Sequence, residues 1–115
     1  MVCRWNNGVN FKMARFDIYR NGGTHQVSTP YLIDVQSNVL DLLNTRVVIP
    51  VRRLDHFAQV ALPKDLIPVF VIEGIECMLD TPKLAAIPKS ELKIRVGTLE
   101  AQEVIVALDR LFGAY

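Results

Sequence analysis

Leu32-Ile33-Asp34-Val35-Gln36-Ser37 and, further along, Arg46-Val47-Val48-Ile49-Pro50 are the stretches whose reading decides the fold of this chain. Both are rich in β-branched residues, and each stops at a residue that favours a turn or interrupts a strand ladder. The pattern predicts strands over 31–36 and 46–51. Between them, residues 37–45 form a connection whose Val39, Leu40, Leu42 and Leu43 need cover. An apolar connection of this kind marks either packing or a partner surface. Upstream, residues 16–19 have strand propensity, and Asn21-Gly22-Gly23 tolerates the positive φ of a loop that reaches Pro30.

Downstream, residues 53–62, with His56 and Phe57, read as a short helix or an irregular loop before Pro63 and Pro68 break the pattern. Pro68-Val69-Phe70-Val71-Ile72 and Ile75-Glu76-Cys77-Met78-Leu79, separated by Glu73-Gly74, form the clearest hairpin in the chain. Residues 85–88 and 92–96 add two short strands, with Pro88 best accommodated at an edge. Thr98 offers an N-cap hydroxyl, and Glu100 and Glu103 place negative charge at the positive end of a helix dipole. The helix predicted from there runs to Tyr115. Its stripe of Ala101, Val104, Ile105, Leu108, Leu111 and Phe112 recurs at spacings of three and four, the face that covers a sheet core.

A chain of 115 residues fits one domain, and at this size a single core removes about two-thirds of the unfolded surface from water. Half the residues are apolar, yet no run approaches the roughly 18 apolar residues of a membrane helix. The start, Met1 to Lys12, lacks the apolar centre of a signal peptide. A cytoplasmic protein with no membrane partner is expected. Thirteen basic and twelve acidic residues leave a net charge of +1, so nothing drives attachment to a phosphate backbone, and no direct nucleic-acid partner is expected. Cys3 and Cys77 lie far apart without Cys-x-x-Cys spacing, which argues against a metal site; no cofactor is implied. Cys77 reads as a small buried hydrophobe. Residues 1–12 show neither strand nor helix period and read as a disordered or upstream-translated extension, with Met13 opening a single domain over 13–115.

No constellation of residues reads as an enzyme. His25 and His56 lack a nucleophile or a second carboxylate at a diagnostic spacing. Gly22-Gly23 lacks the Gly-Lys-Ser/Thr ending of a phosphate loop.

Met13-Ala14-Arg15-Phe16-Asp17-Ile18-Tyr19, the aspartate-containing 31–36 strand, Val48-Ile49-Pro50, the hairpin from Pro68 to Asp80 and the terminal helix follow one another in the order of a known family. Over residues 13–115 the chain resembles the CcdB toxins. The resemblance implies a mainly β (α+β) fold: an SH3-like barrel of antiparallel strands closed by one C-terminal helix, similar to CcdB and MazF proteins. It implies the toxin of a type II toxin-antitoxin system that inhibits DNA gyrase by binding its A subunit. It also implies a homodimer, and a cognate CcdA-like antitoxin whose disordered C-terminal segment folds on the toxin.

Residue by residue, Ser37, Val39 and Leu40 match the family's gyrase-facing Ser-x-Ile-Ile positions. Val104 and Asp109 stand on the helix where the family has isoleucine and asparagine. Gly113, Ala114 and Tyr115 stand where it has Trp-Gly-Ile. Loss of an interface tryptophan costs about 2 kcal/mol or more of binding, unless Tyr115 supplies another aromatic anchor. The resemblance also marks Gly22, Gly23, Thr24 and His25 as antitoxin contacts. Two alternatives stay open. One is a toxin fold that has lost gyrase poisoning. The other is a MazF-like RNA-cleaving toxin, with Arg46, Arg52 and Arg53 stabilising a phosphorane-like transition state and His25, His56, Asp34 or Glu73 as acid and base. Charge pairs to Asp34 or Asp55 are the competing role for those arginines.

Overall fold

The computed structural model describes residues 14–40, 42–57 and 63–113. Among these, seven strands form one antiparallel sheet: β1 (Asp17–Arg20), β2 (Tyr31–Asp34), β3 (Thr45–Arg53), β4 (Val69–Ile72), β5 (Ile75–Leu79), β6 (Ala85–Pro88) and β7 (Arg95–Thr98). The order is β4-β5-β3-β2-β1-β7, with β6 also on β3. The sheet curls as a half-barrel, and a single helix, α1 (Ala101–Phe112), follows it. This is the mainly β architecture with a C-terminal helix that the sequence leads one to expect.

The longest strand, β3, is the hub. One of its edges pairs with β2 from Asp34↔Val48 to Tyr31↔Val51. Its other edge is shared, β6 taking residues 45–48 and β5 taking 51–53. The strand runs on through Pro50 to Arg53, past the stop expected near Pro50. The amide nitrogen and carbonyl of a strand residue point to the same edge. The Pro50 carbonyl accepts from the Asp80 N–H at 3.0 Å, so the position without an N–H faces the gap between β6 and β5. No ladder bond is lost there.

Alternation along β2 and β3 divides the side chains between two layers. Ile33, Val35, Ile49 and Val51 join Ile18, Leu79 and Cys77 in a buried cluster closed by Val104, Ala107 and Leu108 of α1. Cys77 is the small buried hydrophobe expected, and burial pushes its thiol pKa up. Tyr19, Val48 and Leu92 form a second buried cluster, with Leu32 and Ile87 packed on it. Asp34, Gln36 and Arg46 share the sheet face of Leu32 and Val48.

Several boundaries move for identifiable reasons. The second strand ends at Asp34 rather than Gln36, because the Gln36 side chain replaces the backbone acceptor: its Oε1 takes the Val47 N–H at 3.0 Å. The first strand covers Asp17–Arg20 in place of 16–19, after Phe16 at φ 73°. The last strand is Arg95–Thr98, not 92–96, since Lys89–Glu91 makes a 3₁₀ turn that delivers Leu92 into the second cluster. Thr98 does not cap the helix; its hydroxyl donates to Asp17 Oδ1 at 2.8 Å, and Glu100 occupies the N-cap position. The helix stops at Phe112, with Gly113 at φ 71° as its left-handed cap, short of Tyr115. Leu54–His56 is a 3₁₀ turn within the segment read as helix or loop, whose remainder, 58–62, lies outside the described residues. The proposed 1–12 extension and the start at Met13 lie outside them too. The Glu73-Gly74 hairpin is as expected, with φ of 51° and 78°, the two positive values of a type I′ turn.

The hairpin tip is tied back to the far side of the sheet. Glu73 accepts from the Tyr31 hydroxyl at 2.6 Å and pairs with Arg20 at 2.7 Å. Burial, then that bond to Glu73, pushes the Tyr31 hydroxyl up to about 12. Burial, then Asp17, pushes Tyr19 to about 12 as well. Both values lie above the ordinary 10, so the stability these phenols contribute is complete below pH 10 and is lost as pH rises toward 12. Alkaline titration is expected to show two tyrosines ionising late and together with unfolding. Ionisation of both near pH 10 in a still-folded protein, followed by ultraviolet absorbance and circular dichroism, contradicts this.

Candidate functional site

The turn leaving β2 is built on a buried ion pair. Arg46 and Asp34 have no exposed side-chain surface and meet at 2.6 Å. Arg46 Nε donates to both Asp34 oxygens, at 3.1 and 3.0 Å, and its terminal nitrogen also reaches the Gln36 carbonyl at 3.3 Å. Asp34 Oδ1 accepts from the Gln36 N–H as well, at 3.1 Å. Burial raises the Asp34 carboxyl pKa above its ordinary value, while the guanidinium and the Gln36 N–H hold it down. The arrangement satisfies the hydrogen-bonding groups of a pair that is costly to remove from water.

Beyond this anchor the chain makes a 3₁₀ turn, Asn38–Leu40, with the Leu40 N–H donating to the Ser37 carbonyl at 3.0 Å. Asn38 Oδ1 accepts the Arg15 N–H at 3.0 Å, and Arg15 Nε donates to the Val35 carbonyl at 3.1 Å. Leu40, Leu42 and Leu43 of the connection, 44%, 97% and 48% exposed, do not find the cover the sequence pattern calls for. Ser37 is exposed beside them; the side chain of Val39 lies outside what is described.

On the helix the expected contacts separate. Asp109 and Gly113 are exposed, whereas Val104 is fully buried in the main core and supports the helix from beneath. Ala114 and Tyr115 lie outside the described residues. Phe112, assigned to the core stripe by its spacing from Leu108, is instead 70% exposed, and Ile105 is 38% exposed. Helical periodicity thus continues to Phe112 although burial on this face ends at Leu108. Exposed Phe112, an aromatic directly before Gly113, is a surface position that apolar spacing alone assigns to the core. Val35 and the buried helix residues share one cluster, which ties the turn after β2 to α1.

Gly22, Gly23, Thr24 and His25 are all exposed in the β1–β2 loop. Asn21 shapes the loop: its Oδ1 accepts the Gly23 N–H at 3.0 Å and its Nδ2 donates to the carbonyls of Thr24 and Thr29. Beside it lies a cavity of about 570 Å³ whose walls include Arg20, Gly22, Tyr31, Arg53 and Glu73.

The arginines considered for RNA cleavage do not converge. Arg46 is sealed against Asp34. Arg52 is held by Asp80 at 2.6 Å and by the Thr29 hydroxyl at 2.8 Å, and lies 5.3 Å from the Phe57 ring centre. Arg53 grips Asp55 with two bonds, lowering that carboxyl's pKa. His56 stands 3.8 Å from Asp55, and Glu73 is engaged by Tyr31 and Arg20. Among the described residues no group of three His, Cys, Asp or Glu is placed to hold a metal ion, and no helix is long and apolar enough to cross a membrane.

Exposure separates two neighbouring positions of α1. Phe112→Ala is expected to lower stability by less than about 1 kcal/mol, and Leu108→Ala, which opens the core, by about 3 kcal/mol. Equal losses in chemical denaturation would show that Phe112 is covered.

Compared with known proteins, the chain matches a family model described as CcdB protein over residues 15–113. Among curated proteins none matches.

Proposed function

We propose, from the premise that the chain belongs to the CcdB family, that this toxin of a toxin-antitoxin pair acts by binding the A subunit of DNA gyrase. The observation that carries the reading is the exposed apolar turn after β2. Leu40, which with Ser37 and Val39 resembles the family's gyrase-facing positions, stands in water with Leu42 and Leu43 after it. An exposed apolar patch of this kind belongs to a protein interface. Asp109 and exposed Phe112 on α1, with Gly113, Ala114 and Tyr115 after them, form the second part of the contact surface. Burial removes Val104 from it and leaves it the task of seating the helix.

The working form in this reading is a cytoplasmic homodimer that brings two copies of the helix end to its target. Neutralisation comes from a CcdA-like antitoxin whose C-terminal segment folds onto the toxin. The exposed loop of Gly22, Gly23, Thr24 and His25, with the adjoining cavity, offers it backbone and charged contacts. The action is stoichiometric poisoning and not turnover. The ion pairs that occupy Arg46, Arg52 and Arg53 favour this over RNA cleavage, because each is already committed to a carboxylate.

Purified protein is expected to inhibit supercoiling and to trap cleaved DNA on gyrase, while leaving RNA intact. Leu40→Glu is expected to weaken inhibition by about tenfold or more, and removal of 113–115 to do so without loss of fold. Restoring Trp-Gly-Ile at 113–115 strengthens it. Sequence-specific RNA cleavage with no effect on gyrase sinks the proposal.

A further inference from the structure

Gln36 makes more directed bonds than any role as a strand end requires. It is 6% exposed, and each of its polar groups is used. Its N–H donates to Asp34 Oδ1 and its carbonyl accepts from Arg46. In the side chain, Oε1 accepts the Val47 N–H at 3.0 Å and Nε2 donates to the Leu40 carbonyl at 3.2 Å. The amide has only one orientation that fits, since a backbone N–H needs an acceptor and a carbonyl needs a donor.

The Leu40 carbonyl is the acceptor for the Leu43 N–H as well, at 3.1 Å. Its two lone pairs therefore join the buried network to both parts of the exposed apolar segment. A turn that displays leucines to water has little packing of its own to define it, and without a fixed support it would spread over many conformations. The amide of Gln36 supplies that support from inside the protein, and the Asp34–Arg46 pair holds Gln36.

We infer that Gln36 is a positioning residue for target binding: it pre-forms the Leu40–Leu43 surface through its bond to the Leu40 carbonyl, without itself touching the target. This rests on the gyrase reading above for the identity of the target, though not for the support itself. A pre-formed surface binds more tightly because the ordering cost is met before the encounter.

Two variants of the full chain separate the bonds. Gln36→Met removes both side-chain bonds. Gln36→Glu keeps an acceptor for the Val47 N–H and removes the donor to Leu40. Amide hydrogen exchange and affinity for purified gyrase A subunit are measured on both and on the unaltered protein. The expected signature in Gln36→Glu is faster exchange at Leu40 and Leu43 with Val47 still protected; in Gln36→Met all three accelerate. Affinity is expected to fall about tenfold in both. Uniform acceleration across the protein in both variants, or unchanged exchange at Leu40 and Leu43, overturns the support. Faster exchange there with undiminished affinity overturns the positioning role. If the unaltered protein does not bind the gyrase subunit, the gyrase reading fails, and the exchange pattern alone decides whether Gln36 supports the turn.

Discussion

The buried pair of Arg46 and Asp34 is the constraint from which the rest of the structure is best understood. Two charges without exposed side-chain surface sit on the sheet face away from the helix, at 2.6 Å. Removing them from water costs several kcal/mol per ion, so such a pair adds little net stability and destabilises strongly when only one partner is lost. What it does supply is direction. A guanidinium that must meet both carboxylate oxygens fixes the approach of β3 to the end of β2, where an apolar contact would tolerate sliding. A one-residue slip of β3 along β2 would turn Ile49 and Val51 out of the core and leave the pair unmatched.

From that fixed point the order passes outward. Asp34 and Arg46 hold the backbone of Gln36, Gln36 holds Val47 and Leu40, and the turn beyond is set. The same strand, β3, carries β5 and β6 on its other edge, so the hairpin and the segment leading to α1 inherit their placement from it. A small domain thereby keeps a polar framework on one face and an apolar core with the helix on the other. The exposed leucines keep a defined backbone, because Gln36 holds the Leu40 carbonyl from inside the protein.

Much of this was legible in the residues. The β-branched blocks around Asp34 and Val48, the Glu73-Gly74 turn and the stripe of Val104 and Leu108 lie where their patterns put them, because hydrophobic alternation and positive φ are local properties. What was not legible depends on cover supplied from elsewhere. Phe112 continues the helical stripe in sequence but is 70% exposed, so nothing among the described residues covers it. Val104, by contrast, is fully buried in the core, as its place in the apolar stripe leads one to expect. Pro50 suggests a strand end, and only the gap between β5 and β6 shows why the strand continues. In sequence Gln36 reads as the last residue of a strand, since no pattern announces that a side-chain amide will stand in for a backbone carbonyl. Asp34 and Arg46 were available as a charge pair, but burial, which changes their role from solvated neighbours to a framework, is a property of the assembled sheet.

The most direct measurement of this account is a double-mutant cycle on the pair, with Asp34→Leu, Arg46→Met and the two together, read by denaturation and by amide exchange. Each single change is predicted to cost about 3–5 kcal/mol and the double to regain most of that loss. The Leu40 and Leu43 amides of the stable double variant are nevertheless predicted to exchange faster than in the unaltered protein, because Gln36 has lost its hold. A double variant that recovers both its stability and the protection of those two amides would contradict the claim that the ion pair directs the turn.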